Sequence, residues 1–168
     1  GHVSAEPIRD LTIARSILTA AGYSAEQKLP LTIWYVNDGR YTVLEEEYAT
    51  AIKDQLEEDG LIEVTLEGAP WAQFRPQSLA CNYPSFLLGW PSSGQPAAYL
   101  DAMSWIEYFI TNTDSICSNY ESAAMTTLLE EALQENDEGQ RIELYRQIQE
   151  LWAREFPTLD LTQEPRSA

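Results

Sequence analysis

A chain of 168 residues, 44% hydrophobic and carrying five Trp and nine Tyr, holds enough apolar side chain to bury one sizeable core, which excludes intrinsic disorder. Ten Lys and Arg against 27 Asp and Glu leave a net charge of -17, a field that repels nucleic-acid phosphates and anionic lipid surfaces, so neither is an expected partner. No apolar run reaches the roughly 18 residues of a membrane span, no basic start followed by an apolar stretch marks a signal peptide, and Gly1-His2 reads as a cloning remnant.

In chain order, Ile8 to Ala21 predicts a helix, with Leu11, Ala14, Ile17, Leu18 and Ala21 at helical spacing and Gly22 where a left-handed cap belongs. Leu31 to Val36 is rich in β-branched and aromatic residues and runs into the turn signal Asn37-Asp38-Gly39, which predicts a strand. Thr42 to Asp59 reads as an amphipathic helix. Its apolar stripe is Val43, Leu44, Tyr48, Ala51, Ile52 and Leu56, and its wet face includes Glu45, Glu46, Glu47, Lys53, Glu57 and Glu58. Leu61 to Leu66 alternates as a half-buried strand does. A short helix is expected from Pro70 to Ala80 and a buried strand from Ser85 to Trp90, stopped by Pro91 to Pro96. Helices follow at Ala97 to Asn112, Glu121 to Gln134 and Asp137 to Phe156, the last with Ile142, Tyr145, Ile148, Leu151 and Trp152 on one side; Leu159 to Thr162 reads as a closing strand. The alternation gives an α/β fold, a mixed sheet flanked by helices in a single domain spanning 1–168.

Catalytic machinery is sparse. The only histidine is His2, so no His-based triad or zinc site can be assembled. Neither GxGxxG nor a Walker loop occurs, and no cofactor is expected. Carboxylates are plentiful, which leaves a paired-acid hydrolase as a weak alternative, yet runs such as Glu45-Glu46-Glu47 and Glu130-Glu131 have the pattern of solvated helix faces. Cys81 and Cys117 form either a disulfide in an oxidising compartment or two buried thiols. Ligands of open α/β sheets collect outside the carboxyl ends of the strands. Trp90, Ser92, Ser93 and Gln95 put an aromatic face, hydroxyls and an amide at one such end. Asn37, Asp38 and Arg40 follow another strand and are expected on the same rim, with Thr162 and Gln163 as further candidates.

Four ordered stretches then resemble one family. They are Ala14 to Tyr23, ending Ala-Gly-Tyr; Leu31 to Tyr35 with Ala51-Ile52, Leu56, Val64-Thr-Leu66 and Trp71-Ala72; Leu88-Gly-Trp90 with Gln95-Pro96 and Tyr99-Leu100; and Asn119-Tyr120 leading to Leu129-Glu-Glu-Ala132 and Arg141 to Gln149. Together they are similar to the C-terminal lobe of the oligopeptide, dipeptide and nickel-binding solute-binding proteins of ABC importers, family 5. The resemblance implies a periplasmic-binding-protein-like lobe, isolated from a two-lobed parent whose N-terminal lobe closes over the solute. It implies a non-catalytic role, a permease as partner, and an extracytoplasmic place, either periplasmic or as a membrane-anchored cell-surface lipoprotein. Peptide-binding members commonly carry an Asp three residues after this Trp, where Ser93 stands, and some carry an Arg three before it, where Leu87 stands. Neutral hydrogen bonds from Ser92, Ser93 and Gln95 suit an uncharged or sugar-like solute as well as a peptide. The remaining alternative is an acidic stand-alone module that binds a protein partner.

Overall fold

The computed structural model describes residues 10–89, 117, 120–155, 157–159 and 161, and these fall into two compact units, one of 10–89 with 117 and the other from 120 onward. The first unit runs α1 (Leu11–Ala20), β1 (Leu29–Val36), α2 (Glu45–Glu57), β2 (Ile62–Ala69), α3 (Trp71–Leu79) and β3 (Ser85–Phe86). The strands pair in parallel in the order β2-β1-β3. Strand β1 begins earlier than expected, because Leu29 already donates to the Leu61 carbonyl at 2.8 Å. Pro30 costs the ladder nothing: the even positions of β1 face β3, which starts only opposite Ile33. Strand β2 runs past Leu66 to Ala69, its last three residues pairing with Trp34, Tyr35 and Val36. Gly68 permits this, since a Cβ there would stand 3.0 Å from the Tyr35 ring beside it.

The register divides β1 and β2 into two faces. Ile33, Tyr35 and Val64 are buried on one, while α2 lies along both strands. On the other, Val36 and Ala69 meet Phe74 of α3 and Tyr83, with Trp34 and Phe86 packed around them. Trp34 stacks on Tyr83 at 4.2 Å between centroids, and Phe74 is fully buried among these rings. Truncating such a side chain to alanine costs about 3–5 kcal/mol.

The phase of α2 differs from the expected one. The helix starts at Glu45, so the sheet-facing stripe is Glu45, Ala49, Ile52 and Leu56, whereas Val43, before the helix, is 85% exposed and Tyr48 and Ala51 also face solvent. Lys53 and Glu57 do not belong to a fully wet face either. Glu57 Oε1 accepts from Lys53 Nζ at 2.9 Å and from the Val64 amide at 2.7 Å, and Lys53 Nζ donates to the Val64 carbonyl. Among the described residues β2 is an edge strand, and the outward N–H and C=O of its Val64 are thereby occupied, which blunts the edge at that point against pairing with another chain.

Helix ends follow their chemistry. Asp10 accepts from the amides of Thr12 and Ile13 at the start of α1, and Gly22, at φ 95°, closes it with Tyr23 donating to the Leu18 carbonyl. Arg15 fixes α1 to the turn before β2 through Asp59, 2.7 Å from Arg15 Nε. Helix α3 ends in the same way, with Cys81 at φ 56° in the left-handed position that glycine usually takes and Asn82 donating to the Gln77 carbonyl at 3.0 Å. Cys81 is bonded to Cys117, with Cα atoms 5.3 Å apart, so the thiols are paired. The bond fastens this strained cap to a residue 36 positions onward.

The second unit contains α4 (Ala123–Gln134) and α5 (Glu138–Glu155), whose cores meet through Met125, Leu129, Ala132 and Ile148. Ser122 caps α4, which is why it begins two residues after the expected start. Leu144, one turn before Ile148, joins the core in place of Ile142, which lies on the opposite side and is exposed. Tyr120 and Ser122 both donate to Glu155, tying the beginning of α4 to the end of α5. Burial and then the Glu155 carboxylate push the Tyr120 hydroxyl up to about 12. Arg146 bridges Glu143 and Glu150 on the outer face and holds the Glu143 carboxyl down at about 2. Leu159 and Leu161 are not in a strand, since among the described residues no strand pairs with them. The helix expected at Ala97 to Asn112 lies outside the described residues.

Two stability measurements check these readings. Replacing Cys81 and Cys117 together by Ala should lower unfolding stability in urea by about 2–4 kcal/mol, as expected for releasing a loop of this length. Glu57→Gln tests the edge clamp. The Lys53 ammonium and then the Val64 amide hold the Glu57 carboxyl below its ordinary range, so its stabilisation is present above about pH 4.3 and is lost as pH falls through the folded value. The variant should melt below the wild type at pH 7, with the gap closing in acid; a gap independent of pH would contradict the clamp.

Candidate functional site

A parallel sheet delivers the carboxyl ends of its strands to one edge, and here the segments after β1, β2 and β3 meet there. Asn37 prolongs the ladder, its amide donating to the Ala69 carbonyl at 3.1 Å. Asp38 then reaches across to the beginning of α3: its Oδ2 accepts from the Trp71 amide at 2.7 Å, and its Oδ1 from the Arg40 amide at 3.3 Å. The free N–H groups of a helix start favour a carboxylate, so Asp38 caps α3 from a neighbouring loop. Gly39, at φ 76°, supplies the left-handed residue that lets the chain turn back immediately.

That turn lays Arg40 on Trp71, with the guanidinium carbon 4.0 Å from the ring centroid and 5.7 Å from the Tyr41 ring. Arg75 approaches the same indole at 5.9 Å. Tyr41 meets Trp71 edge-on at 5.8 Å and 83°, and its ring lies against the backbone of Gly89, where any Cβ would overlap it. Gly89 is thus required at the residue before Trp90. Burial raises the Tyr41 hydroxyl, which Arg40 and Arg75 pull partly back, and burial alone raises the carboxyl of nearby Glu45.

Of the residues expected at a ligand rim, Asn37, Asp38 and Arg40 are brought together at this edge and are exposed. Asp38 and Arg40 already have structural tasks there, one as the α3 cap and the other as the cover of Trp71. Trp90, Ser92, Ser93, Gln95, Thr162 and Gln163 lie outside the described residues. Leu87, at the end of β3, donates its amide to the Trp34 carbonyl at 2.8 Å. Tyr41, Trp71, Gly89 and Glu45 were not among the ligand-rim residues expected from the sequence. Trp71 carried a usable signal, since it follows β2 directly at the same edge. Glu45 carried none, as the first of three consecutive glutamates.

The arrangement offers aromatic edges, an exposed guanidinium and an exposed amide, which suit non-covalent capture of a polar organic solute. Among the described residues no group of three or more His, Cys, Asp and Glu is placed to hold a metal ion, and no helix is long and apolar enough to cross a membrane.

Comparison with known proteins supports the same frame. The family model of bacterial extracellular solute-binding proteins, family 5 Middle, matches residues 2–108. Among solved structures, the chain is similar to a periplasmic oligopeptide-binding protein, OppAIV, from Borrelia burgdorferi, with 26% identity over 94% of this chain and 30% of that one and a TM-score of 0.77. It is also similar to OppA of Haemophilus influenzae in complex with the peptide RPPGFSPFR, with 23% identity over 88% of this chain and 27% of that one and a TM-score of 0.75. A dipeptide-binding protein from Pseudoalteromonas sp. SM9913 in complex with Met-Leu gives 22% identity over 88% and 29% and a TM-score of 0.73. The chain therefore spans less than a third of the length of these structures. No curated protein matches it. With the family match covering residues 2–108 and the α/β lobe shared with these structures, the chain belongs to the bacterial extracellular solute-binding proteins, family 5.

Proposed function

We propose that this chain is the ligand-capturing C-terminal lobe of a peptide-binding protein that serves an ABC importer. The observation that carries the reading is the convergence of Asn37, Arg40, Tyr41 and Trp71 with Gly89 at the carboxyl edge of the sheet. That is the edge at which open α/β sheets bind ligands, in a fold shared with proteins solved with RPPGFSPFR and with Met-Leu. In this reading Trp90 packs on the solute, Ser92, Ser93 and Gln95 hydrogen-bond it, and Thr162 and Gln163 are further candidates for contact with it. The chemistry is capture and release, with no covalent step. The parent works outside the cytoplasmic membrane, free or anchored, and hands its solute to a permease. Closure of two lobes excludes water and supplies many of the contacts, so the 168-residue chain alone binds its solute weakly.

Calorimetry on the full-length protein tests the proposal with RPPGFSPFR, Met-Leu and a neutral disaccharide. The expected result is binding of at least one peptide and none of the sugar. Trp90→Ala should weaken the peptide about tenfold or more, the loss typical of an aromatic anchor, with an unchanged melting temperature. Sugar binding without peptide binding would reassign the solute, and full affinity in Trp90→Ala would remove that residue from the site.

A further inference from the structure

We infer that Arg40 is a specificity-determining residue of the capture site, whose outward guanidinium face stacks on an aromatic side chain of the solute. The inference rests on the proposed capture function and names a chemical feature of the ligand. The guanidinium carbon of Arg40 stands 4.0 Å from the centre of the Trp71 indole, the separation of a stacked pair, while the residue itself is exposed. One face of the planar group is therefore taken by the indole, and the opposite face is open at the carboxyl edge of the sheet. Among the described residues Arg40 forms no ion pair, so its charge is directed at rings alone. A guanidinium presents a positive face on both sides of its plane, and the face of an aromatic ring is negative, so a second ring completes a sandwich with Trp71.

The backbone on both sides of Arg40 holds that face in place. Before it, Asp38 accepts from the Arg40 amide at 3.3 Å and from the Trp71 amide at 2.7 Å, which ties the loop to the very residue that Arg40 covers. After it, the Tyr41 ring is wedged between the edge of Trp71 and the backbone of Gly89. Ordering a long side chain opposes binding, and here that ordering is complete before the solute arrives. The occupant is a neutral ring and not an anion for an electrostatic reason. The Asp38 carboxylate lies against the Arg40 amide and the whole chain carries a net charge of -17, so an added anion is repelled, whereas an aromatic side chain brings no charge.

The test compares, by calorimetry on the full-length protein, RPPGFSPFR with the same peptide carrying cyclohexylalanine for both phenylalanines, which keeps the bulk and removes the π face. Wild type should bind the cyclohexyl peptide about three- to tenfold more weakly, the range of a cation–π contact. In Arg40→Ala that preference should vanish, and Arg40→Lys, which keeps the charge without the planar face, should not restore it. Equal affinity of wild type for both peptides, or an undiminished preference in Arg40→Ala or Arg40→Lys, overturns the stacking role and leaves peptide capture standing. A loss of affinity on amidation of the peptide's C-terminus that is present in wild type and absent in Arg40→Ala overturns it too, by assigning Arg40 to the carboxylate. Failure of wild type to bind either peptide overturns the capture reading and the stacking role with it.

Discussion

Parallel strands cannot be joined by a tight turn; each must be followed by a crossover that carries the chain back across a face of the sheet. That constraint arranges most of the first unit. Because β1, β2 and β3 run in one direction, their carboxyl ends lie at one edge, and the helices that return the chain begin there. Helix α2 consequently presents its first turn, with Glu45, at this edge, and α3 presents Trp71. Asp38 couples two of the crossovers by capping α3 from the loop that leads to α2. Trp71 stands on the first turn of α3, and the loop carrying Asn37, Asp38, Arg40 and Tyr41 is held against it by the Asp38 cap and the Arg40 stack.

The large negative charge has two distinct physical uses. Most acids are solvated and keep the molecule apart from other polyanions. A few are spent on backbone groups that would otherwise lack partners: Asp10 and Asp38 at helix starts, Glu57 at the outer edge of β2.

Much of the fold was legible because local chemistry and tertiary burial agree. Ile33, Tyr35 and Val36 are strand formers and are buried in β1; Gly22 occupies the left-handed cap that its position announced. The misplaced apolar stripe of α2 has one cause, a helical phase that depends on where the helix begins. Taking α2 to start at Thr42 put Val43 and Leu44 on the apolar stripe and Glu45 in solvent; the start at Glu45 moves the stripe and buries the acid. The rim was legible as a region, since Asn37, Asp38 and Arg40 follow a strand. Their individual tasks were not, because the cap on α3 and the stack on Trp71 join residues more than 30 positions apart, as in the separation of 33 between Asp38 and Trp71. The bond between Cys81 and Cys117 was one of two open alternatives in the sequence, and only the proximity of their Cα atoms decides it.

Native mass spectrometry of the full-length protein, purified without added ligand, tests most directly whether the carboxyl edge captures peptides. The account predicts a ladder of co-purified peptide masses that is lost on partial denaturation and refolding. A single neutral compound of carbohydrate mass, or a protein that is empty and remains empty after incubation with a peptide mixture, would contradict it.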